Sequence, residues 1–468
     1  MSVQPSRSVT TLLSTESANM PRKIISKSRM RTQIQASVVS VCPKSIDDVI
    51  AILKEPRHYP GPVRAVGSNS GSTRNASTHG TLLDMTAMKS FSRISADTVR
   101  VGAGMQLRSL ADRLARDGLE LVGGYEYPER TVGGVISSGS LSADIPGDAG
   151  HLAASVIHLT LVTPRGREIE VGKDMPELLR AVRQGYGLFG VVCTVTLKIR
   201  PIRPYAIRNR EFAFSELMRF IPDMSEVRAG VKIFLLPFRN RAFVELRFAG
   251  NGDQQSSLLP WKIRDWACNK AIPDFVHSVG RIVPISKLRD PLIDGFSAAA
   301  QRLVNKRLSV VGSNAMEQTG QFRKLRQATS VTYSSWLFPA ARFAQVVYAY
   351  REFCLRHYKV TGFRCDLPGI VYRIGHDQSA LLSPSHDQAL FALNLRSTNM
   401  DGWDNFLLDF ADLAARFDGI PLFNQTRGML PRHAHDAYGQ RLVRFRELRR
   451  QHDAENRCLN QFFAEYID

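Results

Sequence analysis

No stretch of this chain approaches the roughly 20 consecutive apolar residues that a bilayer-spanning helix needs, so the sequence offers no transmembrane candidate. Cysteine is scarce. The six (Cys42, Cys193, Cys268, Cys354, Cys365, Cys458) are scattered, and none forms a CxxC pair. Neither a zinc ribbon nor a disulfide framework is indicated, and reduced, mostly buried thiols in a cytoplasmic protein are expected. His433 and His435 lack further ligands at metal spacing, so no metal site is expected. Carboxylates are also short: 43 acidic residues against 62 basic ones leave a formal charge of +19. Such a field attracts phosphorylated substrates, acidic carriers, anionic lipid or nucleic acid. The basic residues are dispersed and no nucleic-acid-binding module is present, which removes the last of these. A solvated arginine-rich surface is the plain alternative. Residues 1–34 are rich in Ser and Thr, hold Glu16 as their single carboxylate, and lack the apolar core of a secretory signal. A basic disordered tail over residues 1–35 is expected, with a transit-like leader as the alternative.

What remains is ordinary globular material, long enough at 468 residues for two domains. Apolar spacing predicts a helix over 46–53, with Ser45 placed to cap it. Short β-type runs lie at 62–66, 81–84 and 97–101. A helical period runs from Met105 to Asp117, and strands are expected at 155–163, 168–171 and 190–200. Pro201 to Pro204 marks an exit. Beyond it, Val231–Leu236 and Ala242–Phe248 read as neighbouring strands and Val346–His357 as an amphipathic helix. Residues 250–312 are less periodic and are expected to form a cap or lid. Their Trp261 to Trp266 segment is a candidate for membrane or partner contact, with mutual packing of the two rings as the alternative. After Gly419 the chain is expected to return to its first half, with a helix from Arg441 to Gln451 turning Leu442, Phe445 and Leu448 inward.

The most informative residues are two runs of small ones. Val66-Gly67-Ser68-Asn69-Ser70-Gly71-Ser72 follows an apolar segment, and Thr131-Val132-Gly133-Gly134 leads into Ser138-Gly139-Ser140-Leu141. Glycine lets a backbone approach a ligand with no Cβ in the way. Successive N–H groups in such turns form a nest that holds phosphate oxygens. Two nests in order suggest a diphosphate cofactor lying in an extended slot. Val101-Gly102-Ala103-Gly104 imitates a dinucleotide fingerprint, but its third glycine would fall at Leu107, so that reading fails.

With Leu82-Leu83-Asp84-Met85, Leu159 to Gly166 and Gly185-Tyr186-Gly187-Leu188-Phe189-Gly190, these runs resemble the flavoproteins of the p-cresol methylhydroxylase/vanillyl-alcohol oxidase (PCMH-type) superfamily. The resemblance covers residues 36–204 in order. The C-terminal stretch Tyr438 to Phe463 resembles that of aldonolactone and alditol oxidases and of decaprenylphosphoryl-ribose oxidases. The resemblance implies an α+β fold. A PCMH-type FAD-binding domain would span 36–204 and a substrate (cap) domain, built on an antiparallel sheet with helices, 205–419. A return segment, 420–468, would pack on the FAD domain.

It also implies site residues. Val66 to Ser72 would hold the FAD diphosphate. Thr131, Gly133, Gly134, Ser138, Gly139, Ser140 and Leu141 would pass along the cofactor's other side, with Val191, Val192 and Asn424 completing the contact. Members with covalent flavin usually carry a His where this chain has Ser70, so non-covalent FAD is expected. Tyr125, followed by Glu126, falls where the family faces the flavin edge that oxygen reaches, and its bulk suggests a dehydrogenase. Sugar-oxidising relatives present a Lys to the flavin from the segment that here reads Ile420 to Arg427. Asn424 and Gln425 are neutral donors there, and Arg427 is the nearest cation. On the strand ending Tyr372-Arg373-Ile374-Gly375-His376, alternation sets Tyr372 and His376 on one face and Arg373 on the other. These three compete for the substrate pocket, together with Tyr333. The expected activity is FAD-dependent oxidation of a C–OH or C–NH centre. The expected substrate is larger than a free sugar: lipid-linked, phosphorylated or carrier-bound, with an anionic group and peripheral membrane contact among the options. A peroxide-forming oxidase and a non-redox flavin scaffold are the alternatives.

Overall fold

The computed structural model describes residues 38–123, 128–143, 150–250, 258–308, 311–313 and 331–468. The helix Ile46–Lys54 begins as its sequence dictates. Ser45 Oγ accepts from Asp48 N–H at 3.1 Å while Asp48 Oδ2 accepts from Ser45 N–H, a reciprocal cap that satisfies two end donors. Its Val49, Ile52 and Leu53 are buried. Strands Val39–Val41, Thr81–Asp84 and Val63–Val66 lie parallel in that order. A second sheet is ordered Phe91–Arg93, Thr98–Gly102, Val191–Pro201, Val156–Val162, Glu168–Val171, with Leu119–Leu121 also pairing on Val191–Pro201.

The third sheet takes its strands from residues 204–421. Its order is Val311–Ser313, Pro204–Phe212, Arg241–Ala249, Ala229–Leu236, Gly369–Ile374, Leu390–Ser397, Thr332–Pro339, Ile420–Pro421. Every adjacent pair in it is antiparallel. The architecture is mixed α+β. Because strand side chains alternate, the third sheet has two apolar faces. Val231, Ile233, Leu235, Val371, Leu393, Leu395, Trp336 and Phe338 face the helices Phe214–Glu226, Phe343–Thr361 and Trp403–Ala415 in the main core. Phe234, Leu236, Ile370, Tyr372, Leu337 and Ala392 instead pack with Leu141 and Leu422, toward the second small-residue run.

The less periodic stretch expected to form a cap or lid is largely helical over its described residues. Leu259–Trp266 continues through one π-helical turn, Ala267–Ala271, into Ile272–Ile282, and Ser286–Arg307 returns as a second helix. Ala298 of the returning helix joins the cluster around Tyr372. Trp261 and Trp266 do not pack together: Trp261 is buried against Tyr205, with ring centroids 6.3 Å apart, while Trp266 is exposed.

The C-terminal residues close the structure. Helix Pro431–His452 buries Leu442, Phe445 and Leu448. Phe423 sits in an aromatic cluster with Tyr186, Tyr438 and Phe463, at centroid distances of 5.3, 5.6 and 5.8 Å. Val63 N–H donates to Arg457 O at 2.7 Å, and Asn460 Nδ2 donates to the carbonyls of Asn75 and Ser77. The chain end is thereby fastened to the strand and loop that open the first half.

Candidate functional site

Strand Val63–Val66 runs out into Gly67. A Cβ added at Gly67 would lie 1.9 Å from Thr131 Oγ1, so the two small-residue runs touch at a point only glycine permits. Asn69 then adopts a left-handed conformation, φ 47°. The backbone N–H groups of Ser68, Asn69, Ser70 and Gly71 find no acceptor among the described residues. Four successive unsatisfied donors around a left-handed residue form an anion-binding concavity. The loop is held from below: Ser72 N–H donates to Asn424 O at 3.0 Å, Ser72 Oγ to Gln425 O at 3.0 Å, and Thr73 Oγ1 to Phe423 O at 2.6 Å. Across the gap, Thr131 caps the short helix Val132–Ser137. The carbonyl of Gly139 accepts from Asn424 Nδ2 at 3.2 Å and from Gln425 Nε2 at 3.0 Å.

A cleft partly open to solvent lies between the runs. Val66 to Gly71, Thr131, Gly133, Gly134, Ser138, Val192 and Asn424 line it, together with Arg64, Asn75, Met85, Ala103, Arg130 and Tyr186. Small residues form its walls and backbone donors one end. The buried Asn424 Oδ1 has no donor among the described residues. That donor set fits an anionic diphosphate joined to a heterocycle with an N–H to give.

Residues 38–172 match the family described as FAD binding domain. The chain carries a PCMH-type FAD-binding domain. It is similar to L-gulonolactone oxidase of Bos taurus, 32% identical over 34% of this chain and 36% of the relative. It is also similar to L-gulono-1,4-lactone dehydrogenase of Mycobacterium tuberculosis, 24% identical over 49% of this chain and 52% of the relative. Alditol oxidase of Streptomyces is 27% identical over 42% of this chain and 47% of the relative. The chain thus spans about a third to a half of the length of these curated relatives. The solved structure of cholesterol oxidase from B. sterolicum superposes with a TM-score of 0.74, covering 92% of this chain and 94% of that one at 15% identity. This likeness shows the fold.

Within the FAD domain, the Gly102-Ala103-Gly104 turn offers no donors to a phosphate. Its N–H groups go to Ser90 O, Cys193 O and Met88 O, each at 2.9 Å. The other expected residues divide into those at the cleft and those behind it. Ser72, Gly139 and Gln425 brace the walls through the bonds above. Leu141 and Val191 are buried in core clusters. Tyr125 and Glu126 lie outside the described residues.

Two cations expected at the pocket are turned away from it. Arg427 pairs with Asp404 Oδ1 at 2.8 Å and donates to Thr332 Oγ1, so the ion pair draws it toward helix Trp403–Ala415. Arg373 is on the helix-covered face. Its guanidinium donates to the carbonyls of Met224, Ser225, Val227 and Ala229, closing the end of helix Phe214–Glu226. Tyr372 is buried on the opposite face, with Lys232 Nζ 5.0 Å from its ring centroid. His376 lies beyond the strand end, its Nε2 2.7 Å from His386 O, and is not part of the cleft wall.

The cations that do reach the cleft escaped the sequence reading. Arg130 Nε donates to Ser70 Oγ at 3.1 Å and Arg130 Nη2 to Tyr333 Oη at 3.1 Å, while Tyr333 Oη donates to Ser70 O at 2.9 Å. Arg64 is buried beneath the loop, donating to the carbonyls of Cys458, Asn75 and Tyr186. Burial lowers its pKa to about 10, with the Cys458 thiol opposing the shift. The signal for Arg130 was its position beside Thr131, and for Arg64 a charge inside an otherwise apolar strand.

Behind the second run, His151 is fully buried. Its Nδ1 lies 2.8 Å from Ser140 O, which can only accept, so Nδ1 carries the proton. Nε2 is then the acceptor facing Ser385 Oγ at 3.4 Å. Burial lowers its pKa below the ordinary 6.5, with Asp377 opposing. The folded protein therefore holds His151 neutral. The unfolded chain takes up a proton near 6.5 and the folded one only at lower pH, so stability falls as pH drops below 6.5. His151→Asn should flatten that fall by as much as one proton's worth, read from thermal midpoints across the acid range. Gly67→Ala should force the two runs apart at a cost of about 1–3 kcal/mol. That variant should purify colourless and bind added FAD more weakly in fluorescence titration.

Proposed function

We propose that this chain is an FAD-dependent oxidoreductase. It holds FAD non-covalently and oxidises a C–OH (or C–NH) centre on a substrate larger than a free sugar. The observation that carries this reading is the meeting of the cleft with the face of the third sheet that carries Tyr333, where polar side chains interrupt apolar ones. Tyr333 touches Ser70 and Arg130, both of which line the cleft. Register places Ser335 and Leu337 on the face of Tyr333, opposite Asn394 and Ala392. Tyr372 continues that face through its pairing with Ala392. Asn394 is fully buried there, and neither its Oδ1 nor its Nδ2 has a partner among the described residues. An orphaned buried amide costs about 1–3 kcal/mol, so its retention supports recognition of a ligand hydroxyl or carbonyl. Lys232, paired in register with Tyr372, adds positive charge for an anionic substrate group.

FAD, when bound, supplies the hydride acceptor. The chain's own part is to orient the substrate, exclude water and take the alcohol proton. Ser70 has no ring nitrogen with which to form a histidyl link to the cofactor. Of the groups weighed as base (Tyr333, Tyr372, His376), Tyr333 touches the cleft wall. Its hydroxyl donates to Ser70 O and accepts from Arg130 Nη2, which fixes it on that wall. The curated relatives act on lactones and alditols by their names, which supports C–OH chemistry. Oxygen as the electron acceptor is the second reading, favoured by the oxidases of Bos taurus and Streptomyces among them.

Anaerobic addition of candidate alcohols, including lipid-linked and phosphorylated sugars, should bleach the flavin absorbance. In Tyr333→Phe the bound flavin should remain while the bleaching rate falls about 10²–10⁴-fold, the range for loss of a general base. An unchanged rate would move the base elsewhere. Efficient turnover of small free polyols would overturn the substrate size.

A further inference from the structure

We propose that the tip of the helical hairpin formed by residues 259–282 and 286–307 docks on an anionic lipid surface. Exposed apolar side chains usually stand singly. Here Ile282, Ile285, Leu288 and Leu292 are 78, 57, 59 and 52% exposed within a few residues of one turn. Positions 285, 288 and 292 repeat at helical spacing, so they share one side of helix Ser286–Arg307, and Ile282 ends the helix before it. None of these four side chains belongs to a core cluster.

The charges around them have one sign. Arg281 and Lys287 are exposed beside the apolar residues. The carboxylates of the hairpin are taken up by neighbours. Asp290 meets Arg289, Arg364 and Tyr358, Asp294 meets Arg364, Asp274 meets Lys270, and the buried Asp265 accepts from Asn269. An apolar ridge flanked by cations, with its acids withdrawn, matches the boundary between lipid headgroups and acyl chains. The tip is also too small for a stable protein partner. Four aliphatic side chains fall well short of the roughly 1,200–2,000 Å² that a specific protein interface buries. No described helix is long and apolar enough to cross a membrane, so the contact is peripheral.

The test is co-sedimentation of the full-length holoprotein with vesicles of phosphatidylcholine, with or without roughly a third phosphatidylserine. The protein should sediment with the anionic vesicles and stay free of the neutral ones. Both Ile285→Ser/Leu288→Ser and Arg281→Glu/Lys287→Glu should lower the bound fraction, by roughly tenfold or more. Flavin absorbance and thermal midpoint should not move, and Val360→Ser, an exposed apolar control elsewhere, should bind normally. Equal binding by the wild type and both hairpin variants would overturn the proposal, since the basic N-terminal residues are present in all. So would an absence of vesicle binding. A change in self-association instead, seen by sedimentation velocity, would make the tip a protein contact and likewise overturn it. None of these readouts depends on turnover, so the result stands apart from the proposed chemistry.

Discussion

Everything at the cleft depends on one short turn, Phe423-Asn424-Gln425, which holds both small-residue runs. Its backbone carbonyls accept from Ser72 and Thr73 of the first run. Its two side-chain amides converge on Gly139 O of the second. The turn is itself pinned to the third sheet: Ser335 N–H donates to Gln425 O, and Thr426 Oγ1 bonds Ser335 O. Residues more than 350 apart in sequence thus fix the width of the slot. Polar groups buried in this way rigidify a site only when they are satisfied. The exception among the described residues is Asn424 Oδ1, which is buried without a donor on a residue that lines the slot.

The electrostatics follow from the same arrangement. Two arginines reach the slot by different routes. Arg64 serves as a buried strut whose charge is spent on three carbonyls. Arg130 bridges Ser70 to Tyr333, so the first run and the third sheet meet through a cation. The Tyr333 hydroxyl thus sits between the Arg130 guanidinium and the Ser70 carbonyl, on the wall of the slot. The high net charge of the chain has a second outlet at the hairpin tip, where Arg281 and Lys287 flank exposed isoleucine and leucine side chains.

Much of this was legible in the sequence because the signals were local. Ser45 before Asp47-Asp48 gave a capped helix, and alternation in Val191–Pro201 gave the long central strand. Two glycine- and serine-rich runs were legible as candidate cofactor loops, since few other needs put so many small residues after apolar strands, and both line one cleft. What was missed is set by distant partners. In a chain with 62 basic residues, the local signals at Arg64 and Arg130 were too faint to single them out. Alternation separated Tyr372 from Arg373 but could not say which face looks at the cleft; that depends on where helix Phe214–Glu226 ends. Arg427 was close in sequence to the right place, yet Asp404 captures it. The hairpin did not look helical because its apolar residues point both inward and to solvent, which blurs the 3.6-residue period.

The measurement that bears most directly on the central claim is the visible spectrum of the purified protein before and after acid precipitation. A slot of backbone donors with Ser70 at its mouth should yield a yellow protein whose flavin bands pass wholly into the supernatant. Colour retained in the pellet would contradict non-covalent attachment. A colourless protein that takes up no added FAD would contradict the account of the slot itself.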